Sequence, residues 1–150
     1  MIFDRTQNDV DTAIVLRREK VQTFQELTEA EIEILEKGLL TIKTLNRIED
    51  KQEELKNILK EIGYFNINTN NTSWGYLDIF TQKDFDRILE NLSSLVDGFF
   101  VYKNTPKIPE KNYRKYQVIN DVEKILQDID VMINDVKSHY RECGAFESGE

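Results

Sequence analysis

The residues best equipped for chemistry stand near the C-terminal end: His139, the only histidine, and Cys143, the only cysteine. Four residues apart on a helix they share one face, and an imidazole beside a thiol can serve as base and nucleophile. Such pairs usually join distant segments and need a third group to orient the imidazole, which nothing nearby supplies. As metal ligands, His139, Glu142 and Cys143 make an incomplete set. A helix end in solvent or packed on a neighbour is the favoured reading. Asp84, Asp86 and Glu90 have the spacing of a helix cap and a solvent face, with no D-x-D-x-D-G calcium loop. None of the six glycines forms the G-x-G pair of a phosphate-binding loop. The residues therefore predict no catalytic group, no metal site, no cofactor and no enzymatic activity.

Composition narrows the partners. A chain of 150 residues is long enough for one compact domain, expected to span 1–150, and too short to argue for two. With 39% apolar and 32% charged residues, it suits a helical domain with a narrow core and a wide solvated surface. The formal net charge of −8 is spread along the chain, so nucleic acid and anionic lipid are not expected partners. The one dense basic spot, Lys111-Asn112-Tyr113-Arg114-Lys115-Tyr116, could stack bases, but a solvated loop leading into a helix is the favoured reading. A single cysteine excludes an internal disulfide framework. The opening Met1–Arg5 lacks the features of a signal peptide, and no run approaches the roughly 20 apolar residues of a membrane span. Synthesis in the cytoplasm as a soluble protein is expected.

The elements that would position any site are helices. Phe85, Ile88, Leu92, Leu95 and Phe99 fall at three-and-four spacing, one face of a helix. The pattern occurs twice more, in Leu45-Asn46-Arg47-Ile48-Glu49 with Leu55 and Leu59, and in Ile119-Asn120-Asp121-Val122-Glu123 with Leu126, Ile129 and Ile133. Ahead of them, Thr6 with Asp9 predicts a capped first helix whose face runs through Val10, Ala13, Ile14, Val21 and Phe24. Thr28 with Glu31 has capping-box spacing and opens a second helix, which Gly38 should stop. Thr44 is the expected start of the third helix, Gly63 its end, and Glu49–Lys56 its solvated face. Thr81-Gln82-Lys83-Asp84 repeats the Thr6-Gln7-Asn8-Asp9 cap ahead of the central helix. Pro106 and Pro109 mark an extended connector. The last helix is predicted from near Tyr116 to about Tyr140, closed by Gly144, with a loose tail over about 144–150. The fold expected is all-α, a bundle of about four to five helices.

Between residues 64 and 80 the composition changes. Asn66, Asn68, Asn70 and Asn71, with Thr69, Thr72 and Ser73, form a turn-rich cluster flanked by Tyr64-Phe65-Asn66-Ile67 and Trp74-Gly75-Tyr76-Leu77, whose aromatic content would suit two short strands. A short irregular or hairpin-like insert is expected. Aromatic residues on such a loop make good contact anchors, although burial of Trp74 over the open end of the bundle is the favoured reading. The candidate partner-binding residues are Trp74, Tyr76, Phe99, Phe100 and Tyr102.

The opening Phe3-Asp4-Arg5-Thr6-Gln7-Asn8-Asp9-Val10 resembles the D-R-T-Q-x-D-V start of a domain common in tail-fibre, baseplate and minor tail proteins of phages and prophages of Gram-positive bacteria. The blocks Leu45–Glu49, Trp74, Asp84–Asn91, Pro106 with Pro109, and Asn120–Glu123 match it in order, as do Tyr140, Cys143-Gly144 and Ser148–Glu150. The domain is often part of a larger chain. The resemblance implies a virion structural component located in the tail, docked to other tail, baseplate or fibre proteins, in a homo-oligomer or symmetric multi-copy assembly. It carries over no catalytic residue. The alternatives are a tail-assembly chaperone or small cytoplasmic partner-binding module, and a receptor-binding tip that would use the 64–80 loop.

Overall fold

Four threonines set where helices begin. Thr6, Thr28 and Thr81 each accept a hydrogen bond from the amide three residues on, and the side chains of Asp9, Glu31 and Asp84 accept one from the cap's own amide. Each box satisfies two of the orphan donors at a helix start. The first and third boxes match further. Gln7 donates to Asp11 and Gln82 to Asp86, both at 2.9 Å. Thr41 caps a fourth helix through the Thr44 amide at 3.2 Å. That helix therefore begins one turn before the predicted start at Thr44, whose hydroxyl instead turns inward to Glu36 at 2.7 Å.

The computed structural model describes residues 1–148, with side chains through His139. Its helices are α1 (Gln7–Leu16), α2 (Glu29–Gly38), α3 (Ile42–Glu61), α4 (Gln82–Gly98) and α5 (Tyr116–Ser148). The fold is the all-α bundle that the periodicity predicts, and no strand occurs among the described residues. The 64–80 insert is irregular rather than a hairpin.

The three repeated helices pack on one another and hold the core. In each copy the Ile or Val and the Leu or Ile seven residues later are sealed: Ile48 with Leu55, Ile88 with Leu95, Val122 with Ile129. Complete burial of such a side chain contributes about 1.5–3 kcal/mol. Helix α1 pairs with α2 beside this core. Their close approach depends on Gly38, where a Cβ would lie 2.3 Å from both Ala13 Cβ and Asp9 O. Gly38 is thus a packing residue at the last position of α2. Gly63, at φ +105°, ends the approach out of α3 in a conformation that suits glycine.

Three expectations are corrected. After Leu16 the chain widens into a π-helical turn, Arg17–Val21, closed by Gln22 N to Arg17 O at 2.9 Å. That shift of register removes Phe24 from the helix face; it stands at φ 57° with its side chain in solvent. The run from Glu49 to Lys56 is not a solvated face, because Glu49 and Gln52 are completely buried. Within the same run Lys51 reaches across to Asp130 of α5 at 3.3 Å. Finally, α5 runs on through Gly144 to Ser148, where the sequence predicts a stop. A mid-helix glycine costs only about 1 kcal/mol relative to alanine.

Candidate functional site

The repeated Asn-x-x-Glu of α3 and α5 places an amide and a carboxylate on one helix face, three residues apart. Asn46 takes both backbone groups of one residue in the insert: its Oδ1 accepts from Trp74 N at 2.7 Å and its Nδ2 donates to Trp74 O at 3.1 Å. Asn120 does the same to Arg5, with Arg5 N at 3.2 Å and Arg5 O at 3.0 Å. Helix α4 supplies a third such clamp, Asn91 on Asn70, both bonds at 2.9 Å. Each asparagine imitates a neighbouring strand, satisfying backbone that would otherwise be stranded against a helix.

The paired carboxylates complete the clamps. Buried Glu49 accepts from the Thr72 amide at 3.1 Å, from the indole N–H of Trp74, and from both terminal nitrogens of Arg87 on α4. Buried Glu123 accepts from Arg5 Nη2 at 2.9 Å, Arg47 Nη2 at 2.8 Å, Arg47 Nε at 3.2 Å and the Ile2 amide. The hydrogen bond to Glu49 and its charge hold the Arg87 guanidinium above its ordinary pKa against the opposing effect of burial. A charge removed from water is costly unless paired and hydrogen-bonded, and both carboxylates meet that condition.

The insert is consequently two structures in succession. Residues 67–74 form a strap across α3 and α4. Ile67 plugs the core against Gly98, Asn68 N donates to Ser94 Oγ at 2.9 Å, and Thr69 and Asn71 donate to Glu53 at 3.1 and 2.7 Å. Three hydrogen bonds, from Lys56 first and then Asn71 and Thr69, hold the Glu53 carboxyl below its ordinary pKa. Beyond Trp74 the chain turns through Gly75–Asp78 and exposes Tyr76, Leu77 and Ile79 at 97%, 96% and 82%. It returns inward at Phe80, which stacks edge-on with Trp74 at 5.4 Å and Tyr113 at 4.9 Å.

The five candidate anchors separate accordingly. Trp74 and Phe99 are buried and belong to the interior. Tyr102 donates its hydroxyl to Asp135, which pushes the phenol pKa up and ties the 101–109 connector to α5 together with Thr105 on Asp128 at 2.6 Å. Tyr76 and Phe100 are exposed, at opposite ends of α4. The structure does not gather the five into one surface. Sequence reasoning missed Leu77 and Ile79, the apolar neighbours of Tyr76; an apolar run interrupted only by Asp78 in a turn was the available signal.

His139 is exposed on α5, whereas the side chains of Glu142, Cys143 and Phe146, and residues Gly149 and Glu150, lie outside the described residues. Among the described residues no three metal-ligating side chains gather, and no helix is long and apolar enough to cross a membrane. No protein-family model, curated protein or solved structure matches the chain.

Proposed function

We propose that the chain is a structural component of a phage tail or tail-like particle, at the baseplate or fibre end, where it docks other tail proteins. The observation that carries this reading is what the residues of the resemblance do. Arg5, Asn46, Arg47, Glu49, Trp74, Arg87, Asn91, Asn120 and Glu123 are engaged in the backbone clamps and the two carboxylate centres. A motif whose members are consumed by holding straps to helices specifies a rigid scaffold. What the scaffold presents is the Tyr76-Leu77-Asp78-Ile79 tip, an apolar contact surface on a tethered base.

Mass spectrometry of purified tail particles from the source tests the proposal. This chain is expected at a fixed multiple of the tail symmetry. Abundance in infected lysate together with absence from particles would replace it with the assembly-chaperone reading.

A further inference from the structure

Beside the tip lies a surface groove of about 1290 Å³ between α1, the α2–α3 connection and the start of α5. Apolar side chains Val10, Ile14, Leu40 and Ile119 line it, with Arg17 and Arg114 at its edge. Two other cations there are already compensated, Arg5 by Glu123 and Lys115 by Glu110 at 2.7 Å. Arg17 and Arg114 are exposed and make no ion pair among the described residues. On a chain of net charge −8, this is a largely apolar recess edged by two arginines that no carboxylate neutralises, Arg114 lying over the Tyr113 ring at 5.9 Å.

The tip has the complementary character: three large apolar side chains around one exposed carboxylate, Asp78. It does not fill its own groove, since those side chains are in solvent. Phe80, the residue immediately after the tip, lines the groove, so the two surfaces adjoin. We propose that the tip of one copy seats in the groove of a second copy, and the reverse, forming a two-fold dimer.

Adjacency is the reason for choosing a second copy over a foreign partner. A surface carrying a projection beside a matching recess is self-complementary, and a two-fold rotation that seats one projection seats the other. Reciprocity also doubles the buried surface, which a single short tip would leave at the weak end of specific interfaces. Asp78 meets Arg17 and Arg114 beside the apolar part of the contact, where opposite charge fixes register more than it adds affinity. The dimer names the partner of the tip in the tail reading and rests on that reading's tip as a contact surface. It is measured in solution, so its failure leaves membership of the particle open, and absence from particles leaves the dimer standing.

The experiment is sedimentation velocity on the full chain across a concentration series, with circular dichroism confirming that each variant is folded. The wild type is expected to pass from monomer to dimer as concentration rises. Leu77→Asp in the tip should weaken the dimer by about 30-fold or more, the scale of a lost interface hot spot. The double variant Arg17→Glu with Arg114→Glu should weaken it as well. Mixing the two variants restores one intact tip-in-groove contact per heterodimer, so the mixture should associate more tightly than either variant alone. A wild-type chain monomeric at the highest attainable concentration would overturn the proposal, as would a dimer indifferent to both variants, a mixture no tighter than its components, or an open-ended oligomer.

Discussion

Glu123 gathers two guanidinium groups and a backbone amide in a place closed to water, and its removal strands more charge than the removal of any one partner. Breaking such a buried pair costs about 3–5 kcal/mol, a large share of the 5–15 kcal/mol typical of a domain. Glu123→Ala is therefore expected to lose more stability than Arg47→Ala, which leaves the carboxylate paired with Arg5; urea midpoints at neutral pH give the order. Glu53 offers the pH-dependent counterpart. Its carboxyl is held below its ordinary value of 4.5 in the folded chain, so its contribution is complete above that value. The contribution is lost as pH falls through the lower folded pKa. The destabilisation caused by Glu53→Gln should accordingly be full at pH 7 and shrink on acidification, as followed by urea unfolding of both chains across pH. These acids are poorly legible in sequence. Glu49 and Glu53 sit in a run of charge that reads as solvent-facing, and the groups that justify burying Glu49, Trp74 and Arg87, lie 25 and 38 residues away.

Among the elements, the starts of α1, α2 and α4 and the core faces of the repeated helices were readable because their causes are local. A threonine and an acid three residues on are sufficient for a capping box, and Ile48, Ile88 and Val122 fall on faces that the 3.6-residue period identifies. The π-helical turn was not readable, since Arg17–Val21 contains no residue type that separates a π turn from a continued α-helix. Gly38 shows the same limit: a stop signal by its position, it proves to be the contact between α1 and α2. Gly38→Ala would drive a methyl into Asp9 O and Ala13 Cβ, each 2.3 Å from the ideal position. Overpacking of this kind typically costs about 1–3 kcal/mol. Hydrogen exchange should show protection falling in α1 and α2 while α3, α4 and α5 keep theirs. Equal loss across all five helices would mean that the α1–α2 pair is not a separable unit.

At the scale of the whole molecule, the repeated helices share one device: each uses an asparagine to hold a passing segment by its backbone. Two of the segments, at Asn70 and Trp74, belong to the strap between α3 and α4, and the third is the opening of the chain at Arg5. The tip can be exposed without being loose because Trp74 and Phe80, on either side of it, are fixed to the bundle. Exposure itself was not legible, because Trp74 and Tyr76 look alike as loop aromatics until Asn46 and Glu49 claim one of them.

Arg5 and Glu123 are 118 residues apart, and this distance sets an order of events during synthesis. Arg5 leaves the ribosome well before Glu123 and is among the last residues to find its place, since nothing can receive it until α5 has emerged. Through that interval the Arg5 side chain must wait in water, and Glu123 in turn must enter the core alongside Arg47. Contacts so distant in sequence close late, once the assembled helices have shortened the loop that remains to be closed. Pulse-labelled refolding should find the Ile2 and Arg5 amides gaining protection after those of α3, α4 and α5. The N-terminal arm is, in effect, a latch that can close only on a finished bundle.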